Sequence, residues 1–213
     1  PHSHTTATAT LSEQLRAVMR LLPHPVVVCT AAAAASSSTS SGPRGMTMSS
    51  FTSLSLHPTP LVTFNMARPS RTLDAVAESR RFNIHVLSGD VEGARVADWF
   101  RRGNASDLGV FEAERMREGC GCEVLSRGGE EQGEGSEEAP LLGGKGVLYA
   151  LQCRLLDDEP HRGLVGVRDH VVVLAEVVDI VEGIGRGAEE EEVFGLAYAD
   201  RRYRQIGATM VSE

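Results

Sequence analysis

The chain of 213 residues is poor in aromatic side chains, which make up 5% of it and include a single tryptophan, Trp99. So few rings predict an aliphatic core, and valine, leucine and alanine do dominate the regular-looking segments. No run approaches the ~20 consecutive apolar residues that span a bilayer, so no membrane span is expected. No dense stripe of lysine and arginine is present, which argues against a nucleic-acid partner. Cysteines are few: Cys29, Cys120, Cys122 and Cys153. Four in a chain of this length do not make a disulfide framework. Cys120-Gly121-Cys122, without a second pair of ligands, makes a poor zinc site, so free thiols and no metal are expected. An initiating methionine is also lacking, since the chain opens at Pro1; the natural start looks trimmed, and a cytoplasmic or a mitochondrial location is expected.

Acidic residues are plentiful but localised. Glu130, Glu131, Glu134, Glu137 and Glu138 lie in one glycine-rich run, and Glu189 to Glu192 in another. These nine carboxylates outnumber the net charge of −8, so the rest of the chain is close to neutral. Both runs read as solvated loops. Residues 1–10, threonine-rich and polar, read as a disordered tail. Residues 11–213 read as one domain carrying low-complexity insertions at 31–44 and 126–140.

Within that domain the hydrophobic spacing predicts a helix from Ser12, with Leu15, Val18, Met19 and Leu22 on one face and Pro23 ending it. Short strands are expected at Val26 to Thr30, Leu61 to Met66, Phe82 to Leu87, Val147 to Leu156, Val171 to Val181 and Phe194 to Tyr198. Helices are expected after Pro69-Ser70-Arg71-Thr72 and over Val91 to Phe100. The strands cluster without βαβ alternation, which points to a mostly antiparallel barrel with peripheral helices.

Two segments could carry chemistry. Ser70, just ahead of a helix, is either an ordinary N-cap or part of an anion site. At such a helix start free N–H groups, the dipole and the forked guanidinium of Arg71 would converge on a phosphate. The run GMTMSSFTSLSL from Gly45 to Leu56 is unusually dense in hydroxyls. It is either a solvated edge strand or a row of partners for the polar edge of a heterocycle, with Gly45 permitting close backbone approach. Gly183 to Gly187 does not read as a dinucleotide loop, because no helix follows and four glutamates do. His2 and His4 form an accidental pair in the tail.

Taken together, GMTMSSFTSLSLHPTPLVTFNMARPSRTLDAV resembles the signature of the flavin reductase-like family. Arg81 to Leu87 fits that family's following strand. Asp169-His170 before VVVLAEVVDI resembles its Gly-Asp-His strand entry, and Ala197-Tyr198 to Arg204 its closing Arg-Tyr segment. The resemblance runs from about Leu15 to Gly207. It implies a mostly β fold, an FMN-binding split β-barrel of antiparallel, Greek-key type with peripheral helices, usually as a homodimer.

The resemblance also implies roles. Thr47, Met48, Ser49 and Ser50 would face the flavin ring. Ser53, Ser70, Arg71 and Thr72 would hold the phosphate and ribityl chain, and Phe64 and Asn65 would line the pocket. His170 would stand where the nicotinamide arrives, as catalytic and substrate-contacting residue, with Tyr203 bordering that place. The implied activity is hydride transfer from NADH or NADPH to flavin, with FMN as cofactor and a flavin-dependent monooxygenase as a downstream partner. An FMN protein serving electron relay or regulation without turnover is the alternative, and a barrel that has lost its flavin a third. Three departures lie near the reductant site: Arg168 in place of glycine, His24-Pro25 before the first strand, and extra residues at His161 to Val167.

Overall fold

The computed structural model describes residues 9–32, 42–103, 109–125, 138–183 and 193–207. The tail through residue 8, most of both insertions, the glutamate run 189–192 and nearly all of the loop 183–187 lie outside the described residues.

The chain order is α1 (Leu11–Met19), β1 (His24–Pro25), β2 (Val27–Ala31), β3 (Arg44–Met48), β4 (Thr52–Ser55), β5 (Leu61–Ala67), α2 (Arg71–Ser79), β6 (Arg81–Leu87), α3 (Val91–Gly103) and α4 (Ala113–Cys120). There follow β7 (Glu123–Val124), β8 (Leu142–Gly143), β9 (Val147–Leu155), β10 (Leu164–Val167), β11 (His170–Glu182), β12 (Ala197–Ala199) and β13 (Arg202–Arg204). The main sheet runs β3-β2-β6-β9-β11-β5-β4, with β10 added against β11, and its pairings are antiparallel. Its two outer strands, β3 and β4, are consecutive in sequence and joined only by Ser49, Ser50 and Phe51. So short a link forces the sheet to curl back on itself, which makes it a split barrel.

Strand β2 shows how the core divides. Val27, Cys29 and Ala31 face a cluster with Phe64, Met66, Val76, Phe82, Ile84 and Leu155. Val26 and Val28 face a second cluster with Val96, Phe100, Met116 and Leu142, between the sheet and α3 and α4. Strand side chains alternate in direction, so a continuous apolar run is what a strand buried on both faces requires. The core is mainly aliphatic, as expected, but its centre holds rings: Phe64 and Phe82 meet edge to face with centroids 5.5 Å apart. Gly45 lends its close approach to this packing, since a Cβ there would stand 2.7 Å from the Phe100 ring.

Several boundaries differ from expectation for local reasons. Helix α1 is capped by Thr10, not Ser12: Glu13 N–H donates to Thr10 Oγ1 (3.3 Å), and Glu13 Oε2 accepts from Thr10 N–H (2.7 Å). That T-x-x-E box satisfies two otherwise orphaned amides. Helix α4 has no counterpart among the expected elements. It buries only Met116 and Cys120 and ends at Gly121 with φ +70°, so its apolar signal was thin. The extra residues before His170 form β10, which hairpins onto β11, Val167 facing His170.

A polar clasp closes one side of the barrel. Thr30 Oγ1 donates to Pro140 O (2.6 Å), and Asn83 Nδ2 donates to Ala139 O (2.9 Å) and Pro140 O (3.0 Å). His85, fully buried, accepts from Leu142 N–H at Nε2 (2.9 Å). Its proton therefore sits on Nδ1 and is donated to Val28 O (3.2 Å). Burial lowers the His85 pKa to about 4.

Candidate active site

The C-terminal end of β5 is where the nominated segments converge. Asn65 N–H donates to Ser50 Oγ and Asn65 O accepts from it, both at 3.1 Å, which fastens the β3–β4 loop to β5. Two residues on, Ala67 faces His170, the first residue of β11. The next turn binds across as well, with Arg68 N–H donating to Asp169 O at 2.7 Å. Ser70 then caps α2, its Oγ accepting from Leu73 N–H (3.2 Å). The hydroxyl loop, the strand entry at His170 and the start of α2 are thus brought together by one strand.

The side chains divide by what they are already doing. Thr47 Oγ1 donates to Ala97 O (2.6 Å), tying β3 to α3. Ser50 is spent on β5 in the same way. Both hydroxyls therefore shape the site more than they offer protons to a ligand. Met48 and Phe64 are buried in the core. Ser49 and Ser53 are exposed near the outer strands, and Asn65 is exposed on β5. Thr72 is buried beneath the first turn of α2, and Arg71 is exposed on it. Helix amides of the first turn lack acceptors within the helix and carry the positive end of its dipole. With Arg71 beside them, this donor set fits a phosphate monoester such as that of FMN.

His170 is half exposed, and its Nδ1 lies 3.0 Å from Asp169 Oδ1. The hydrogen bond from the His170 ring holds the Asp169 carboxyl below its ordinary pKa. Arg168, the residue before, adopts φ +54° at the tip of the β10–β11 hairpin. A left-handed non-glycine residue carries a strain of about 1–2 kcal/mol, which is why glycine suits such a position.

Tyr203 is placed elsewhere. It stacks edge to face on Tyr198 (5.8 Å) and lines a groove of about 440 Å³ along α3 with Asp98, Trp99 and Arg102. That groove contains none of the other nominated residues. The Tyr203 hydroxyl has its pKa raised, first by burial and then by the charge of Asp98. The four cysteines are free and buried, and burial raises the Cys153 thiol to about 12. Among the described residues no group of His, Cys, Asp or Glu is arranged to hold a metal ion.

The backbone bond from Arg68 to Asp169 was not anticipated, because it depends on the pairing of β5 with β11, which sequence spacing alone does not reveal.

Comparison with known proteins bears on the family and the fold. Residues 19–207 match the flavin reductase like domain. An FMN reductase (NADH), SmoA of Agrobacterium fabrum, is 46% identical over 66 residues, 31% of this chain and 37% of that protein. The matched segment thus spans little more than a third of that curated relative's length. Among solved structures, NADH:FAD oxidoreductase SgcE6 of Streptomyces globisporus superposes with a TM-score of 0.63 at 22% identity, over 98% of this chain and 100% of its own. Nitrilotriacetate monooxygenase component B from Mycobacterium thermoresistibile gives 0.65 at 21% identity, over 95% and 92%.

Proposed function

The chain belongs to the flavin reductase-like family, and from that premise we propose that it transfers hydride from a reduced nicotinamide nucleotide to FMN. The observation that carries this reading is the convergence on the end of β5 of the Ser49–Ser50 loop, the Ser70–Thr72 helix start and His170. Bound flavin would supply the hydride acceptor. The chain's own part is to hold and orient. The start of α2, with Ser70 and Arg71, binds the phosphate. Thr47 and Ser50 lock the β3–β4 loop so that its amides and Ser49 present a fixed row of donors. His170, steered by Asp169, orients the nicotinamide amide or moves a proton at Nε2. The names of SmoA and SgcE6 support NADH as reductant, and they divide between FMN and FAD.

Surface features support a reading of the assembly and the setting. Helix α1 buries no residue; Leu11, Leu15 and Val18 stay exposed along it, and Leu22 is exposed just beyond its end. Leu54 and Leu56 are exposed on and beside the outer strand β4. Apolar side chains left exposed among the described residues support a homodimer. The likeness to a monooxygenase component B supports a flavin-dependent monooxygenase as consumer of the reduced flavin. Free buried thiols suit a reducing compartment, cytoplasmic or mitochondrial. No described helix is long and apolar enough to cross a membrane.

The test is an anaerobic absorbance titration of the purified chain with FMN, followed by NADH and by NADPH. Bleaching of the flavin within seconds supports the reductase and names its donor. Flavin that binds but stays oxidised with both overturns the reductase in favour of an FMN relay protein.

A further inference from the structure

We infer that the groove along α3 is a binding site for a small planar aromatic carboxylate, separate from the nucleotide site at the end of β5. The inference goes beyond the reductase reading and does not depend on it.

The groove begins in the sequence of α3. Arg95, Asp98, Trp99 and Arg102 recur at helical spacing and share one face, which lines the groove together with Gly119 of α4 and Tyr203 of β13. The two arginines stand about one turn to either side of Trp99. The indole is fixed at two points. Trp99 Nε1 donates to Val110 O (3.1 Å), and its six-membered ring lies so close to Gly119 that a Cβ there would stand 2.2 Å from it. Its one polar atom is therefore committed, and what it offers the groove is carbon surface. Tyr203 is held as well, by the Tyr198 ring at a centroid distance of 5.8 Å and by a hydrogen bond to Arg101. Two fixed, half-buried rings make a surface on which a flat ring stacks.

Charge selects the other end of the ligand. Glu92 pairs with Arg95 (3.0 Å), whereas Asp98 serves both Arg101 (2.6 Å) and Arg102 (2.5 Å). Three guanidinium groups thus meet two carboxylates in these pairs, which leaves one positive charge over. Arg102 is mostly exposed, so its further N–H donors are within reach of a ligand. A forked donor beside aromatic carbon suits a carboxylate carried on a ring. A phosphate dianion suits the groove less, because Asp98 lines it and repels the second charge. The volume of about 440 Å³ is that of a small-molecule site.

Trp99 is the only tryptophan, so its emission reports on this groove. The full chain is titrated with benzoate, with benzamide and with cyclohexanecarboxylate, and binding is read from Trp99 emission and from calorimetry. The expected result is saturable binding of benzoate. Affinity should be about tenfold lower for benzamide, which lacks the charge, and for cyclohexanecarboxylate, which lacks the flat ring. Arg102→Gln removes the charge at an exposed position and should weaken benzoate about tenfold with the urea midpoint kept. Arg115→Gln, on α4 but outside the groove, should leave benzoate binding as it is. No saturation, equal affinity for the three probes, an unchanged affinity in Arg102→Gln or an equal loss in Arg115→Gln overturns the inference. The titration is repeated with FMN and with NADH present. An unchanged benzoate affinity keeps the two sites apart, and competition overturns the inference by making the groove part of the nucleotide site. A chain that binds benzoate in the expected pattern yet reduces no flavin sinks the reductase reading and leaves this one standing.

Discussion

The two histidines of the main sheet stand in opposite regions, and the contrast separates what holds this barrel together from what it presents to ligands. His85 on β6 has no exposed surface, and both its nitrogens are committed, to Val28 O and Leu142 N–H. With Thr30 and Asn83 it anchors residues 139–142 over the barrel wall. His170 starts β11, is half exposed, and among the described residues its ring is bonded to the neighbouring Asp169 alone. In the closed region each polar group has a partner, and a lost partner leaves a buried group unpaired. In the open region groups are held in place by backbone pairing and remain available. The same residue type is thus structural in one place and a candidate catalyst in the other, and burial decides which.

The largest effect should come from breaking the closed region. His85→Leu keeps the volume roughly but leaves Val28 O and Leu142 N–H unpaired in the interior. Each orphan costs about 1–3 kcal/mol, so a stability loss of roughly 2–6 kcal/mol is expected in urea denaturation. A loss below about 1 kcal/mol would show that the clasp does not hold the segment. FMN affinity of the folded fraction should change little, because no part of the β5 end is touched.

The pH dependence of stability sharpens the comparison. An unfolded histidine takes up a proton near its ordinary value of about 6.5, whereas buried His85 resists until about 4. Between those values the unfolded chain binds more protons, so stability falls as pH falls. The contribution is fully present above about pH 6.5 and is lost towards pH 4, by roughly 3 kcal/mol. His85→Leu should flatten the curve in that window. A variant curve parallel to the wild type would mean that other groups carry the acid sensitivity.

This contrast also marks what could be read from the sequence. The strand runs at Val26 to Thr30, Leu61 to Met66, Phe82 to Leu87 and Val171 to Val181 were legible because burial on one or both faces leaves an apolar pattern. So was the cap at Ser70, since capping is local chemistry. Helix α4 was not, because two buried side chains in eight residues leave no stripe. Neither was the clasp, whose partners stand 56 to 110 residues apart in sequence. For Thr47 and Ser50 the hydroxyls were legible as polar groups near a site, but their commitment to Ala97 and Asn65 depends on tertiary packing. The bond from Arg68 N–H to Asp169 O depends on the β5–β11 register, which spacing does not state.

In the open region the effects should appear in rate and not in stability. His170→Ala removes a half-exposed ring that contributes no core contact, so its urea midpoint should match the wild type. If His170 orients the nicotinamide or moves a proton, stopped-flow reduction of bound FMN should slow by about tenfold or more, with FMN affinity kept. An unchanged rate would leave His170 as a turn residue and return the region to a purely flavin-binding role. Asp169→Asn is the finer probe, because it keeps a hydrogen-bond acceptor near Nδ1 but removes the charge. Its expected effect is smaller, a rate change of about two- to fivefold and no shift of the urea midpoint, since an exposed pair in water is weak. A rate loss equal to that of His170→Ala would instead make the charge of Asp169, and not its steering of the ring, the property the reaction depends on.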